Sequence, residues 1–270
     1  MAKKKLVLII FFFFCIGFES CKKKENSIID NKSIETDFVT INTYAHDINS
    51  FTEGLFIDDG VVYESTGSPN ELPNTKSVFG ILDLNTGMIN VKVQLDKTLF
   101  FGEGIAKINN KIYQLTYKNK IGFIYDSKTF KQLALFQFDN NEGWGLTNMK
   151  NDFLIMSDGT NILTFLNSTT LKPVKKLEIF ENNKELFNLN ELEYIDGYIY
   201  ANVYGSNKIV KIDAENGDVV KTIDLSSLYS DSKNKFQGSL EMNGIAYNKE
   251  KKTFLITGKM WPCVYEIKLK

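Results

Sequence analysis

The clearest candidate for chemistry in this 270-residue chain is Glu103, a carboxylate set between Gly102 and Gly104 at the head of an apolar run. Glycine accepts positive φ and close backbone approach, so Gly-Glu-Gly can project a charged side chain from a tight bend. A carboxylate presented that way suits proton transfer, although the tripeptide alone also describes a plain solvated turn. The rest of the composition narrows the chemistry. His46 is the single histidine, which excludes a multi-histidine zinc site and argues against a Ser-His-Asp triad. His46 itself reads as a structural or surface residue at the end of a strand-like run. There is no arginine, so bidentate guanidinium recognition is absent, and a formal net charge of −1 argues against nucleic acid as a partner.

Phrases like the one around Glu103 recur. Phe51-Thr52-Glu53-Gly54-Leu55 leads through Asp58-Asp59-Gly60 to Val61-Val62-Tyr63-Glu64; Gly102-Glu103-Gly104-Ile105 leads through Asn109-Asn110 to Ile112-Tyr113-Gln114. Gly143-Trp144-Gly145-Leu146, Asn190-Glu191-Leu192-Glu193 and Asn243-Gly244-Ile245-Ala246 open three further units of the same form. Each is a short apolar strand, a polar turn and an alternating strand, the pattern of a hairpin. A second hairpin follows each of the first four, with turns at Asn85-Thr86-Gly87, Ser127-Lys128, Ser168-Thr169 and Glu215-Asn216-Gly217. Four strands at a period of roughly 45 residues define a β-propeller blade.

The fifth unit ends after Val264-Tyr265-Glu266-Ile267, one strand short, and the run Phe38 to His46 supplies the missing outer strand. The expected fold is all-β: a five-bladed propeller whose last blade is closed by an N-terminal strand, with no helix of any length and His46 far from the centre. A pair of β-sandwiches would leave an unpaired strand at each end. First strands line a propeller's axis, so Glu53, Glu103, Asn190, Glu191, Glu193 and Asn243 should converge there with Trp144 and Lys259. Such a lining fits a water-filled channel, or oxygen ligands for calcium.

Residues 1–20 read as a signal peptide: Lys3-Lys4-Lys5, the apolar run Leu6 to Phe14, then small and polar residues. Cys21 before Lys22-Lys23-Lys24 has the look of a bacterial lipoprotein site, although Phe18 and Glu19 depart from the usual residues. Residues 21–36 then form a lipid-anchored tether and 37–270 the propeller domain. An exported, lipid-anchored protein on the periplasmic side of the cell envelope is expected. Only Cys21 and Cys263 remain after processing, so no disulfide framework is implied.

Six phrases carry a resemblance: Phe101-Gly102-Glu103-Gly104, Gly143-Trp144-Gly145-Leu146, Ser157-Asp158-Gly159-Thr160, Leu189-Asn190-Glu191-Leu192-Glu193-Tyr194, Asn243-Gly244-Ile245-Ala246 and Thr257-Gly258-Lys259-Met260-Trp261-Pro262. Together, from Phe51 to Leu269, they resemble the β-propeller glutaminyl cyclases, the plant-type glutaminyl-peptide cyclotransferases and their bacterial relatives. The resemblance implies conversion of an N-terminal glutamine of a peptide or protein to pyroglutamate with release of ammonia, without metal or other cofactor. It places the acid/base glutamate at Glu103, the active-site asparagine at Asn190 and the lysine at Lys259, with aromatic pocket residues at Phe51, Phe101 and Trp144. Three substrate-binding positions depart from the family: Glu53 replaces a common glutamine, and Tyr117 and Tyr204 replace tryptophans. If Glu53 lies beside Glu103, the two carboxylates should titrate as a pair. Other functional readings are a calcium-dependent, lactonase-like propeller and a non-catalytic peptide-binding propeller. A closed ring needs no partner to cover its edges, so a monomer is expected.

Overall fold

The computed structural model describes residues 37–270; the signal peptide, Cys21 and the tether expected at 1–36 lie outside them. Five four-stranded antiparallel sheets follow one another along the chain. Blade one comprises Phe51–Asp58, Val61–Gly67, Val78–Asp83 and Met88–Gln94; blade two, Gly102–Ile108, Lys111–Thr116, Ile121–Asp126 and Gln132–Gln137. Blade three comprises Leu146–Met149, Phe153–Met156, Ile162–Asn167 and Pro173–Glu178; blade four, Leu189–Ile195, Tyr198–Val203, Lys208–Asp213 and Val219–Asp224. Blade five is Met242–Asn248, Thr253–Gly258 and Cys263–Leu269, completed by Phe38–Ala45 from the other end of the chain. Phe38 pairs with Leu269 and Ala45 with Cys263, so the two ends zip together as anticipated.

Burial falls from the axis outward. The inner strand of blade one is buried from Phe51 to Phe56, whereas the outer strand of blade two is exposed at all but Phe136. Each of the five core clusters lies at the junction between neighbouring blades. Phe56, Tyr63, Ile105 and Phe123, for example, join blades one and two, while Leu55, Val62, Ala246 and Val264 join blade five to blade one. The apolar face of each sheet is covered by the next sheet, which is why the ring is stable only when closed.

The repeated phrase has a structural meaning. Glu53, Glu103, Trp144, Asn190 and Asn243 occupy one equivalent position, and Gly54, Gly104, Gly145, Glu191 and Gly244 follow them. Register shifts fall there, between Thr52 and Gly54, Gly102 and Ile105, Leu189 and Leu192, and Met242 and Ile245. A bulge at that point re-aims a side chain, here toward one mouth of the channel. The glycine then lets inner strands meet backbone to backbone. A Cβ on Gly104 would stand 2.5 Å from the Leu146 nitrogen, and one on Gly145 would stand 2.1 Å from the Asn190 carbonyl oxygen.

Blade four breaks the pattern with Glu191, whose buried carboxylate spans the axis. Its oxygens accept the Leu55 N–H of blade one at 3.3 Å and the Ile245 N–H of blade five at 2.7 Å. Glu193 similarly accepts the Tyr247 N–H at 3.0 Å. Both glutamates belong to the frame of the ring, and neither lines the cavity described below.

Two elements were not anticipated. A short hairpin, Phe180–Glu181 with Lys184–Glu185, bridges blades three and four, and a ten-residue helix, Ser226–Lys235, bridges blades four and five. The helix buries only Leu228 and Ser232, so it carries almost no apolar periodicity to read. His46 takes the structural alternative of the two expected for it, although not within the outer strand. It lies just past the closing strand and turns inward, with its side chain fully buried against Glu64.

Gly145→Ala places a methyl group against a carbonyl that cannot move without opening blade four. The expected cost is about 1–3 kcal/mol in urea unfolding; an unchanged midpoint would show that the inner strands tolerate wider spacing.

Candidate active site

The repeated position supplies four of the side chains around one cavity. Glu53, Glu103, Trp144 and Asn190 from blades one to four line a space of about 290 Å3, joined by Phe51, Phe101, Tyr117, Tyr204, Lys259 and Pro69. All nine catalytic and substrate-binding positions read from the sequence therefore meet there. Pro69 was missed, because it lies in a loop with no repeat to mark it.

The floor is a charged network. Lys259 sits in the turn after Gly258, where Met260 takes a φ of 57°. Its ammonium, almost fully buried, donates to Glu53 Oε1 at 2.8 Å. Asn243 Nδ2 donates to Glu53 Oε2 at 2.9 Å and to the Thr52 carbonyl at 3.1 Å. Asn243 thus fixes Glu53 from the equivalent position of blade five, a role the repeat alignment could have suggested. Lys259 Nζ also stands 4.6 Å from the ring centre of Phe51 and 5.5 Å from that of Tyr204. An ammonium has three donors, so one salt bridge leaves others to serve a ligand. Asn190 Oδ1 is buried without a hydrogen-bond partner, as is Asn243 Oδ1. Buried polar atoms of this kind are costly unless something binds them.

The walls are aromatic. Phe51 and Phe101 meet edge to face with centroids 6.0 Å apart, Phe101 and Tyr117 lie at 5.9 Å, and Trp144 and Tyr204 at 5.7 Å. Trp144 Nε1 donates to Glu142 at 2.9 Å, which sets the plane of the indole. Gly159, at a φ of 79°, leaves the space the indole occupies, since a Cβ there would lie 2.7 Å from it.

Burial raises both central carboxyls. Glu53 is drawn up to about 7, with Lys259 opposing the effect of burial. Glu103 stands well above the ordinary carboxylate range, through burial first and then through the charge of nearby Glu53. Burial works against the Lys259 charge, but Glu53 and Glu103 more than offset it and its pKa is raised. Glu53 therefore holds the direct bond to Lys259, while Glu103 beside it carries the more strongly raised proton affinity. Among the described residues no group of three or more His, Cys, Asp or Glu side chains is placed to hold a metal ion.

The family profile described as glutamine cyclotransferase matches residues 12–269. The chain belongs to this family. It is 32% identical over 261 residues to a glutaminyl-peptide cyclotransferase of Arabidopsis thaliana, covering 96% of this chain and 79% of that one. The crystal structure of the Myxococcus xanthus glutaminyl cyclase superposes with a TM-score of 0.78 at 28% identity, covering 86% of this chain and 96% of that chain. The five-bladed ring is thus that of the glutamine cyclotransferase family, and Glu53 brings a second carboxylate into its cavity.

Glu53→Gln removes the negative charge facing Glu103 and frees Lys259 to turn toward it. Both changes favour ionised Glu103, so the acidic limb of the pH–rate profile should move to lower pH. A limb that stays in place would show that the two carboxyls are not coupled.

Proposed function

We propose that the cavity converts an N-terminal glutamine to pyroglutamate, with Glu103 as the proton shuttle and no metal or other cofactor taking part. The observation that carries this reading is a protonatable carboxyl, Glu103, beside the Glu53–Lys259 pair and an asparagine oxygen without a partner, inside an aromatic cavity. About 290 Å3 is at the small end of ligand sites, which run from roughly 300 to 1,000 Å3. It suits a single terminal residue.

The substrate carries its own nucleophile. Its α-nitrogen attacks the side-chain amide carbon, a C–N bond forms, and the amide nitrogen leaves as ammonia, so the enzyme needs chiefly to hold the two ends together. The aromatic walls fold the glutamyl chain. Ionised Glu103 takes the proton that the α-nitrogen must lose and returns it to the departing nitrogen, which keeps the step balanced. A free α-amino group has a pKa of about 7.7–8.0. Raising Glu103 above the ordinary carboxylate range brings donor and acceptor closer in proton affinity, the condition under which general acid–base transfer is efficient. The Asn190 amide N–H and the free donors of Lys259 serve the developing oxyanion, where fixed donors are most effective, and Asn190 Oδ1 is left to accept from the substrate's α-nitrogen. Glu53 keeps Lys259 charged and in place.

A wider groove of about 570 Å3 shares Pro69, Phe101 and Tyr117 with the cavity. It gives the rest of a peptide a path outward, consistent with a substrate that is a terminus and not a free amino acid. The tyrosines at 117 and 204 bring hydroxyls to the rim, where they bear on side-chain preference. We also propose that the chain is exported and held at the periplasmic side of the envelope by lipid on Cys21, and that it works as a monomer. Metabolic labelling with palmitate should mark the wild type and not Cys21→Ser; equal labelling would remove the anchor.

Glu103→Gln keeps the shape of the site and removes the shuttle. Ammonia release from a Gln-initiated dipeptide, in the presence of chelator, should fall by about 10²–10⁴-fold. Wild-type release abolished by chelator would point to a metal instead, and undiminished release by the variant would assign the proton to another group.

A further inference from the structure

His46 is the chain's single histidine, and both of its ring nitrogens meet oxygen acceptors. Nε2 stands 3.1 Å from each carboxylate oxygen of Glu64, and Nδ1 stands 2.9 Å from the Trp261 carbonyl. A neutral imidazole has one N–H and can donate to only one of these sides. The charged form satisfies both. Both side chains are wholly buried.

The partners of this pair flank the catalytic lysine and glutamate. On one side, the His46 N–H donates to the Pro262 carbonyl at 3.0 Å, the Met260 N–H to the Ser50 carbonyl at 2.7 Å, and the imidazole to Trp261. These bonds hold the turn that carries Lys259. On the other side, Thr52 Oγ1 donates to Glu64 Oε1 at 2.7 Å, while the Thr52 carbonyl accepts from Asn243, which also holds Glu53. The bonds run from the residues just after Lys259, through His46 and Glu64, to the residue just before Glu53. They cross the seam where blade five meets blade one.

We propose that His46 and Glu64 form a buried imidazolium–carboxylate pair that positions the Lys259–Glu53 couple, making both of them positioning residues for the cyclisation. Buried ion pairs contribute little net stability on average, so a geometric role accounts for this pair better than a stabilising one. Glu64 also holds the imidazole's pKa above its ordinary value against the effect of burial, with a smaller contribution from Asp47.

This inference rests on the proposed roles of Glu53, Glu103 and Lys259, but its first test does not. In protein labelled with 15N-histidine and free of any histidine tag, one imidazole signal exists. It should show both nitrogens still protonated where a free histidine, which titrates near 6.5, has lost a proton. A neutral ring at pH 7 would overturn the ion pair whatever the site does. The second test is kinetic. In His46→Gln, Glu64 loses its cation near Glu53, so kcat should fall roughly ten- to a hundredfold through misplacement, with KM little changed. The acidic limb of its pH–rate profile should move upward. His46→Gln/Glu64→Gln removes both charges and retains donors and acceptors, and it should return the limb toward the wild-type position. A lower melting temperature with kcat and the limb unmoved would show that the pair merely supports the fold.

Discussion

Five inner strands can share one axis only if their backbones come closer than side chains ordinarily allow. This constraint explains the phrase repeated along the chain. A glycine at the point of closest approach removes the obstructing Cβ, and the accompanying bulge turns the preceding side chain toward the mouth of the channel. The same local device, used in successive blades, therefore packs the ring and delivers Glu53, Glu103, Trp144 and Asn190 to one cavity. Blade four replaces its glycine with Glu191, and the carboxylate occupies the centre by bonding to backbone N–H groups of blades one and five. Packing and catalysis are consequences of one backbone distortion.

The electrostatics follow from how few charges enter that space. One lysine faces Glu53 and Glu103, and arginine is absent from the chain altogether. Glu53 claims the lysine through a direct bond, which leaves Glu103 to respond to burial with a raised proton affinity. A glutamine at position 53 would leave Glu103 as the remaining carboxyl facing Lys259, so in the proposed mechanism the acidic residue here divides the work between one carboxylate that anchors and another that exchanges protons. The aromatic walls deepen this division by excluding water, which strengthens the attraction and repulsion among the groups they enclose.

Closure of the ring makes the division durable. Lys259 and Glu53 lie on opposite sides of the seam between the last blade and the first, and the seam is held by the apolar cluster of Leu55, Val62, Ala246 and Val264 and by His46 and Glu64. An N-terminal strand that completes the last blade thus reaches, through the residue that follows it, to the floor of the active site.

The repeats, the blade number and the closing strand were legible in the sequence because each depends on local pattern, whereas the aromatic lining at Phe51, Phe101, Tyr117 and Tyr204 came from the family resemblance. The bulge needs its glycine beside it, a hairpin needs its turn, and every blade spells these out within a few residues. The helix at Ser226–Lys235 was hidden because it buries too little apolar surface to impose a period. Pro69 was hidden because no equivalent residue marks it in other blades. What the tertiary structure alone decided was partnership and, with it, protonation. Lys259 lies 206 positions from Glu53, and His46 lies 215 from Trp261. The charge state of a buried group depends on the few atoms around it, and here those atoms are supplied by opposite ends of the chain.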